Sequence, residues 1–349
     1  MKLNILLLCN KPMIGMNANT IIDHIEGIEN HSSHTIWTYS NLGDINEGLE
    51  LEKFDVIVIH YSLSMLYDFF ISISAKEKIK SFKGLKVVFV QDEYRQINQL
   101  IAQLQYLEID VFFTCFAESE MAKIYTKSDL PNISLYSNLT GYFPQRLLDF
   151  SRIPPIKDRP LHVGYRGRKL PFWYGELGYE KSNIVEKWKL NVGQKNIKVN
   201  LSYDESDRIY GDKWLEFLTS CKATLGVESG ASVMDFTGNL EKLIDLYQVT
   251  YPNHDFYHVQ SLFLKDYEGN FRLNQISPRC FEAIALKTVL ILYEGEYSGI
   301  LIPDRHFIML KKDFSNINDV LEKLGDDVYL HNMAETAFRE IALNPEYSY

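Results

Sequence analysis

The feature that most constrains the fold is a series of short segments that are apolar at every position rather than at alternate ones. "NILLLCN" (4–10), "HTIWTYS" (34–40), "FDVIVIHY" (54–61), "LKVVFVQD" (85–92), "DVFFTCF" (110–116) and "ISLYSN" (133–138) read as strands. Between them, "ANTIIDHIEGI" and "EYRQINQLIAQLQYL" carry helical spacing. A strand apolar on both faces must be covered on both faces, and helical connections join such strands in parallel. The pattern predicts a doubly wound α/β domain over residues 1–150.

The segment 142–160, "YFPQRLLDFSRIPPIKDRP", then concentrates four of the eleven prolines and reads as a linker. The alternation restarts with strands at 161–167, 197–202, 222–228, 287–294 and 306–310. Helices are predicted near 177–190, 212–220, 239–248, 278–286 and 316–324. A second Rossmann-like domain is therefore expected over 160–328, with a closing helical segment at 329–349. Two cores are also what 349 residues at 46% hydrophobic composition support.

The formal charge of -10 argues against a surface that neutralises nucleic-acid phosphates, so no nucleic-acid partner is expected. Cys9, Cys115, Cys221 and Cys280 lie far apart, which suggests neither a disulfide framework nor a metal cluster and fits a reducing cytoplasm. No run of about 18 apolar residues is present to span a membrane. "KEKIKSFKGLK" (76–86) carries five lysines, Lys76 to Lys86. It reads either as a solvated helix end or as a peripheral contact with anionic lipid at the inner membrane face.

Sites in open parallel sheets form at the carboxyl ends of strands, and two facing sheets make a cleft lined by both sets. In "VGYRGRKLPFW" (163–173), Gly164 and Gly167 permit close backbone approach, and Arg166, Arg168 and Lys169 supply cations suited to a diphosphate. "GVESGASVMDFTGN" (226–239) reads as a strand-to-helix loop able to cradle oxygens, with Glu228, Ser229 and Ser232 as polar contacts. In "NQISPRCFEAIALKTVLIL" (274–292), Arg279 and Glu282 interrupt an otherwise buried helix and strand. In the first domain, His60 and Asp92 follow strands and are expected to face the cleft as catalytic groups. Asp92 competes as the cap of a helix, and His60 as a structural histidine. "NKPMIGMNANT" (10–20) is a candidate for acceptor contact. His254 and His258 are spaced i, i+4, but a neighbouring proline and the lack of further ligands argue against a metal.

The pattern Phe281-Glu282-Ala283-x-Ala285-x-x-x-Val289-x-Ile291 resembles the donor-site helix of two-domain glycosyltransferases of the GT-B fold, family 4 type. The resemblance implies that Glu282 binds the ribose hydroxyls of a nucleotide-sugar, with Arg279 beside it, and that Arg168 and Lys169 clamp its phosphates. Asn274 stands where the family has an earlier Glu, and Lys287 and Val289 stand where it has Gly and Pro. The implied activity is metal-independent transfer of a sugar from a nucleotide-sugar to a glycan or lipid-linked acceptor, as in polysaccharide synthesis. No cofactor is expected beyond the donor substrate. A nucleotide-sugar epimerase and a non-catalytic nucleotide-sugar-binding protein are the rival expectations on the same fold.

Overall fold

The computed structural model describes residues 2–15, 17–193 and 195–349. In the first half β1 (Asn4–Cys9), β2 (Thr35–Ser40), β3 (Val56–Ile59), β4 (Leu85–Phe89), β5 (Val111–Thr114) and β6 (Ser134–Ser137) form one sheet in the order β2-β1-β3-β4-β5-β6. Every pairing in it is parallel. Alternate residues of these strands enter different cores: Leu6, Leu8, Ile57 and Ile59 lie on one face, Leu7, Cys9, Val56 and Val58 on the other. Both faces are buried, as the unbroken apolar runs require.

Seven strands follow: β7 (Leu161–Arg166), β8 (Val199–Ser202), β9 (Cys221–Gly226), β10 (Ser229–Ala231), β11 (Leu273–Gln275), β12 (Val289–Tyr293) and β13 (Phe307–Leu310). Five of them make a second parallel sheet, β13-β12-β9-β7-β8. Its order reverses beside β7, and that of the first sheet beside β1, so the loops after these strands diverge and leave crevices.

The sequence reading lacks one element. Ser229–Ala231 pair antiparallel with Leu273–Gln275, so part of the supposed cradle at 226–239 is a hairpin arm. Gly230 has φ 105°, and a Cβ there would meet the Leu273 carbonyl at 1.7 Å, so its glycine serves strand pairing rather than a ligand. Between the two arms, residues 232–272 form an excursion containing the helix Asn239–Thr250.

This excursion packs into the core of the first half. Leu240, Ile244, Phe256 and Met234 share one apolar cluster with Tyr94, Ile97 and Leu100. Backbone bonds join the two: Asp235 N donates to Tyr94 O (2.9 Å) and Asn98 N to Phe236 O (3.0 Å). The Tyr94 hydroxyl also donates to that of Tyr174 (2.9 Å). A second tie lies elsewhere along the boundary. The chain returns after the helix Asp327–Ala337 so that Phe143 N donates to Tyr347 O (2.7 Å) and Tyr349 N to Phe143 O (3.2 Å).

The lysines of 76–86 do not form a basic face. Lys76 is buried against Asp68 (2.9 Å), and Lys86 is buried beside Glu108 (3.8 Å). Lys78 donates to Ile45 O (2.9 Å) and Lys80 lies 4.2 Å above the Tyr106 ring. Lys83 is the exposed lysine of the five, so the segment presents little of the basic face that contact with anionic lipid would use. No described helix is long and apolar enough to cross a membrane.

Candidate functional site

A cleft of about 250 Å³ opens between the halves. Its wall on the second half is built from Arg166 and Gly167 at the end of β7, the loop Arg208–Gly211, Trp214, and Ser277, Pro278, Arg279 and Glu282. The first half contributes Ala18, Asn19 and Thr20, at the start of the helix Asn19–His31. A smaller hollow continues inward past Arg279 to Tyr165, Lys181 and Gly226. The two loops that rim the mouth touch at glycines: a Cβ on Gly211, which has φ 60°, would lie 3.3 Å from Gly15 Cα.

Glu282 is the central group. It sits on the helix Pro278–Ala285, which begins with Ser277 in extended conformation and Pro278 at its first position, a sequence suited to starting a helix. The Glu282 carboxylate is buried, and its Oε2 accepts from Trp214 Nε1 (2.7 Å). Burial pushes its pKa up to about 7, against the pull of the Trp214 bond and of Arg279 and Arg146. Oε1 accepts no hydrogen bond from the described residues.

Lys181 is the group that sequence reasoning missed. It lines the inner hollow from the helix Glu176–Val192. Burial first, and the Arg279 charge with it, lower its pKa to about 8, against the opposing pull of Asp92. The available signal was position: Lys181 falls on the stripe of Leu177, Ile184, Val185 and Trp188, all buried. A charge on the apolar face of an amphipathic helix is the exception to its pattern. Arg168 is exposed on the preceding loop, near enough for its charge to depress Lys181. Arg279 and Lys181 thus place two cations on the inner hollow.

Other expected donor contacts are used up within the protein. The Arg166 guanidinium donates to the carbonyls of Tyr165 (2.8 Å), Asp207 (3.0 Å) and Asn200 (3.1 Å) and to the Asn200 side chain (2.9 Å), over the Phe217 ring. It stiffens the wall and has little left for a phosphate. Glu228 is buried, accepting from Asn274 Nδ2 (2.7 Å), Glu296 N (3.1 Å) and Tyr297 N (2.8 Å). Asn274 and Glu228 therefore brace the hairpin against the loop after β12. Ser232 Oγ accepts from Leu177 N (3.1 Å) at the start of a helix. Lys169 is exposed, with its ammonium 5.8 Å from the centre of the Phe172 ring. Of the expected residues, Glu282, Arg279, Ser229 and Arg166 line the cleft together.

In the first half, His60 is corrected. It has no exposed surface, with Nε2 at 2.9 Å from His24 Nδ1 and Nδ1 at 2.9 Å from Ser62 Oγ. Burial holds its pKa down to about 2, and that of His24 to about 4. A sealed, neutral imidazole has no route to a substrate proton. Asp92 is exposed, with φ 57°, a left-handed conformation that Asp tolerates. It does not cap the next helix, Ile97–Tyr106, whose N-cap is Gln96. Its charge raises the phenols of Tyr94 and Tyr174 as well as the Lys181 ammonium, which puts it at the boundary between the halves.

No family model matches the chain, and no curated protein matches it. Solved structures do. An α-glucosyltransferase in complex with UDP and a 13-mer DNA containing an HMU base is 10% identical, with 98% of this chain and 96% of that one covered at a TM-score of 0.53. HepE of Anabaena in complex with UDP-glucose is 9% identical over 97% and 95% of the two chains, at 0.52. Sucrose-phosphate synthase of Thermosynechococcus elongatus is 11% identical over 98% and 94%, at 0.50. At such identity the likeness is one of fold. The two facing parallel sheets are the GT-B arrangement that the 281–291 pattern implied. The expectation of no nucleic-acid partner is overturned: the first of these structures holds DNA, and so does another α-glucosyltransferase structure, with UDP-glucose and an abasic site. Net charge describes a whole surface, whereas a ligand meets a local one.

Proposed function

We propose that the protein is a glycosyltransferase that takes a sugar from a nucleoside-diphosphate sugar held by the second half, residues 160–328, and passes it to a hydroxyl of an acceptor held by the first half, residues 1–150. The observation that carries this reading is the buried Glu282 carboxylate, held at one oxygen by Trp214, on the wall of a cleft it shares with Arg279, which in turn lines the inner hollow together with Lys181. A carboxylate with a free oxygen accepts from a ribose hydroxyl, and adjacent cations suit a diphosphate. The UDP and UDP-glucose present in neighbours of the same fold support a donor of this class.

In the reaction the bond from the anomeric carbon to the diphosphate oxygen breaks and the acceptor oxygen takes that carbon. The departing diphosphate gathers negative charge, which Arg279, Lys181 and the amino end of the helix Pro278–Ala285 stabilise. The acceptor proton must go to a base, and the reading gives that role to Asp92, an exposed carboxylate of the first half. Calorimetric titration with UDP-, GDP- and ADP-glucose, paired with detection of free nucleoside diphosphate on adding acceptors, tests the reading. Failure of all three nucleotides to bind the folded protein would sink it.

The ionisations make a pH prediction. Binding a ribose hydroxyl favours the Glu282 carboxylate, whose pKa lies at about 7, so affinity rises with pH up to that point. Binding the diphosphate needs protonated Lys181, whose pKa lies at about 8, so affinity falls above it. UDP-glucose has no phosphate proton to lose in this range. Its affinity is expected to follow a bell with its maximum between the two values, falling roughly tenfold per pH unit well outside them. Glu282→Gln should flatten the acid limb, and Lys181→Arg the alkaline one. A profile flat from pH 6 to 9 in the unaltered protein would remove both groups from the binding site.

A further inference from the structure

The outer strand β2 of the first sheet is an edge with no device to keep it from pairing. We propose that it docks a second copy of this chain, the two β2 strands pairing antiparallel about a two-fold axis at Thr38, so that the first-half sheets of both copies run on as one. The inference does not depend on the function proposed above.

The two parallel sheets end on β2, β6, β8 and β13. The last three run four residues each, whereas β2 runs six, Thr35–Ser40. Edges are ordinarily blunted by short length, by charge, by proline or by a bulge. "TIWTYS" has neither charge nor proline, and its register with β1 is unbroken from Asn4 opposite Thr35 to Cys9 opposite Ser40, which leaves no bulge. Trp37, near its centre, is 55% exposed.

The backbone bonds fix which residues face outward. Thr35 N donates to Leu3 O (2.9 Å) and Asn41 N to Cys9 O (3.1 Å), so the odd-numbered residues of the strand turn their N–H and C=O toward β1. Those of Ile36, Thr38 and Ser40 turn away from it, and they make no hydrogen bond to another described residue. With Thr38 on a two-fold axis, these groups complement themselves: Thr38 exchanges both bonds with its own copy, and Ile36 does so with Ser40.

The side chains suit the same register. It sets Trp37 opposite the second copy's Tyr39 at the closer, non-hydrogen-bonded positions on both sides of the axis, and aromatic pairs there stabilise a sheet. Both rings lie on one face, since they align with Leu6 and Leu8 of a single core. Both are already held: Tyr39 Oη accepts from Asn46 N (3.0 Å), and Trp37 Nε1 donates to Asn4 Oδ1 (3.4 Å). On the other face the Thr38 hydroxyl donates to Glu29, and Lys11 meets that carboxylate at 3.3 Å, so each copy brings an ion pair rather than a bare charge to the axis. Two chains of formal charge -10 repel one another over most of their surface and approach best along an uncharged edge of this kind.

Sedimentation of the full chain at about 1 to 100 µM tests the proposal, and a dimer that dissociates on dilution across this range is expected. Thr38→Pro removes the outward N–H at the axis and spares the bonds to β1, and it should raise the dissociation constant about a hundredfold or more. Trp37→Lys, at an exposed position, should do the same by placing a charge on the edge. Thr38→Cys gives a positive readout. In oxidised glutathione its copies, with Cα atoms about 5.5 Å apart, should join as a disulfide dimer, whereas Ser40→Cys, with copies about 13 Å apart in this register, should not. The four native cysteines are buried and stay out of the reaction. Urea midpoints check that each variant folds, and Trp37→Lys with the cysteine pair decides alone if the proline loosens the strand. A monomer throughout the range, a dimer that the folded edge variants leave intact, or Ser40→Cys cross-linking as readily as Thr38→Cys would overturn the proposal.

Discussion

Glu282→Gln is expected to weaken binding of a nucleoside-diphosphate sugar by about ten- to one hundredfold, with a parallel loss of transfer. The amide keeps an oxygen that can accept from Trp214 Nε1, so the helix Pro278–Ala285 stays seated and the change falls on the ligand. What is lost is the charge of the carboxylate and one of its two acceptor oxygens. The loss should be largest at pH 8, where Glu282 with its pKa of about 7 is ionised, and smaller at pH 6, where the unaltered side chain is itself mostly protonated. Titration of UDP-glucose into both proteins at the two pH values reads this out. Equal affinities at pH 8 would place the ribose elsewhere.

Arg146→Met is expected to cost about 3 kcal/mol of stability, the lower end of the range for breaking a buried ion pair because Arg146 is itself partly exposed. Arg146 grips Asp23 with two parallel bonds, Nε to Oδ1 (2.7 Å) and Nη2 to Oδ2 (2.5 Å). Asp23 retains 5% exposure, and burial raises its pKa despite the guanidinium beside it. Without Arg146 that carboxylate is stranded. Asp23→Asn in the same chain should recover much of the loss, because a neutral amide costs less to bury. Urea midpoints of the single and double variants measure it, and a single variant within about 0.5 kcal/mol of the parent would mean that water already screens the pair.

The strands were readable because both-face burial writes itself into consecutive residues: Leu6, Leu7, Leu8 and Cys9 serve two cores from one run. The placement of Glu282 on the cleft wall was readable because a charge within "RCFEAIAL" breaks a local apolar pattern. The misreadings share a different cause, partners distant in sequence. His60 follows a strand as a cleft residue would, yet its ring meets His24, 36 positions earlier. Glu228 and Asn274, 46 positions apart, find each other only through the β10–β11 hairpin. Arg166 has the right type and place for a phosphate, but the carbonyls of Asn200 and Asp207 reach it first. Lys181 differs from these, since it violates a helical stripe that the sequence displays, and a search for charges on apolar faces finds it.

The ties along the boundary bear on the traffic of ligands. Swinging the halves apart as rigid bodies would break the Asp235–Tyr94 and Asn98–Phe236 backbone bonds, expose a shared apolar cluster to water, and strip Tyr347 and Tyr349 from Phe143. Segments held so firmly open only with the large cooperative units around them, whereas surface loops open at small cost. Under the proposed function, exchange of nucleotide then falls to the loops at Gly15 and Gly211, where a Cβ on Gly211 would lie 3.3 Å from Gly15 Cα. A slow step at such a gate belongs to a few backbone torsions, and its rate would follow the stiffness of those two loops rather than the strength of any contact with substrate.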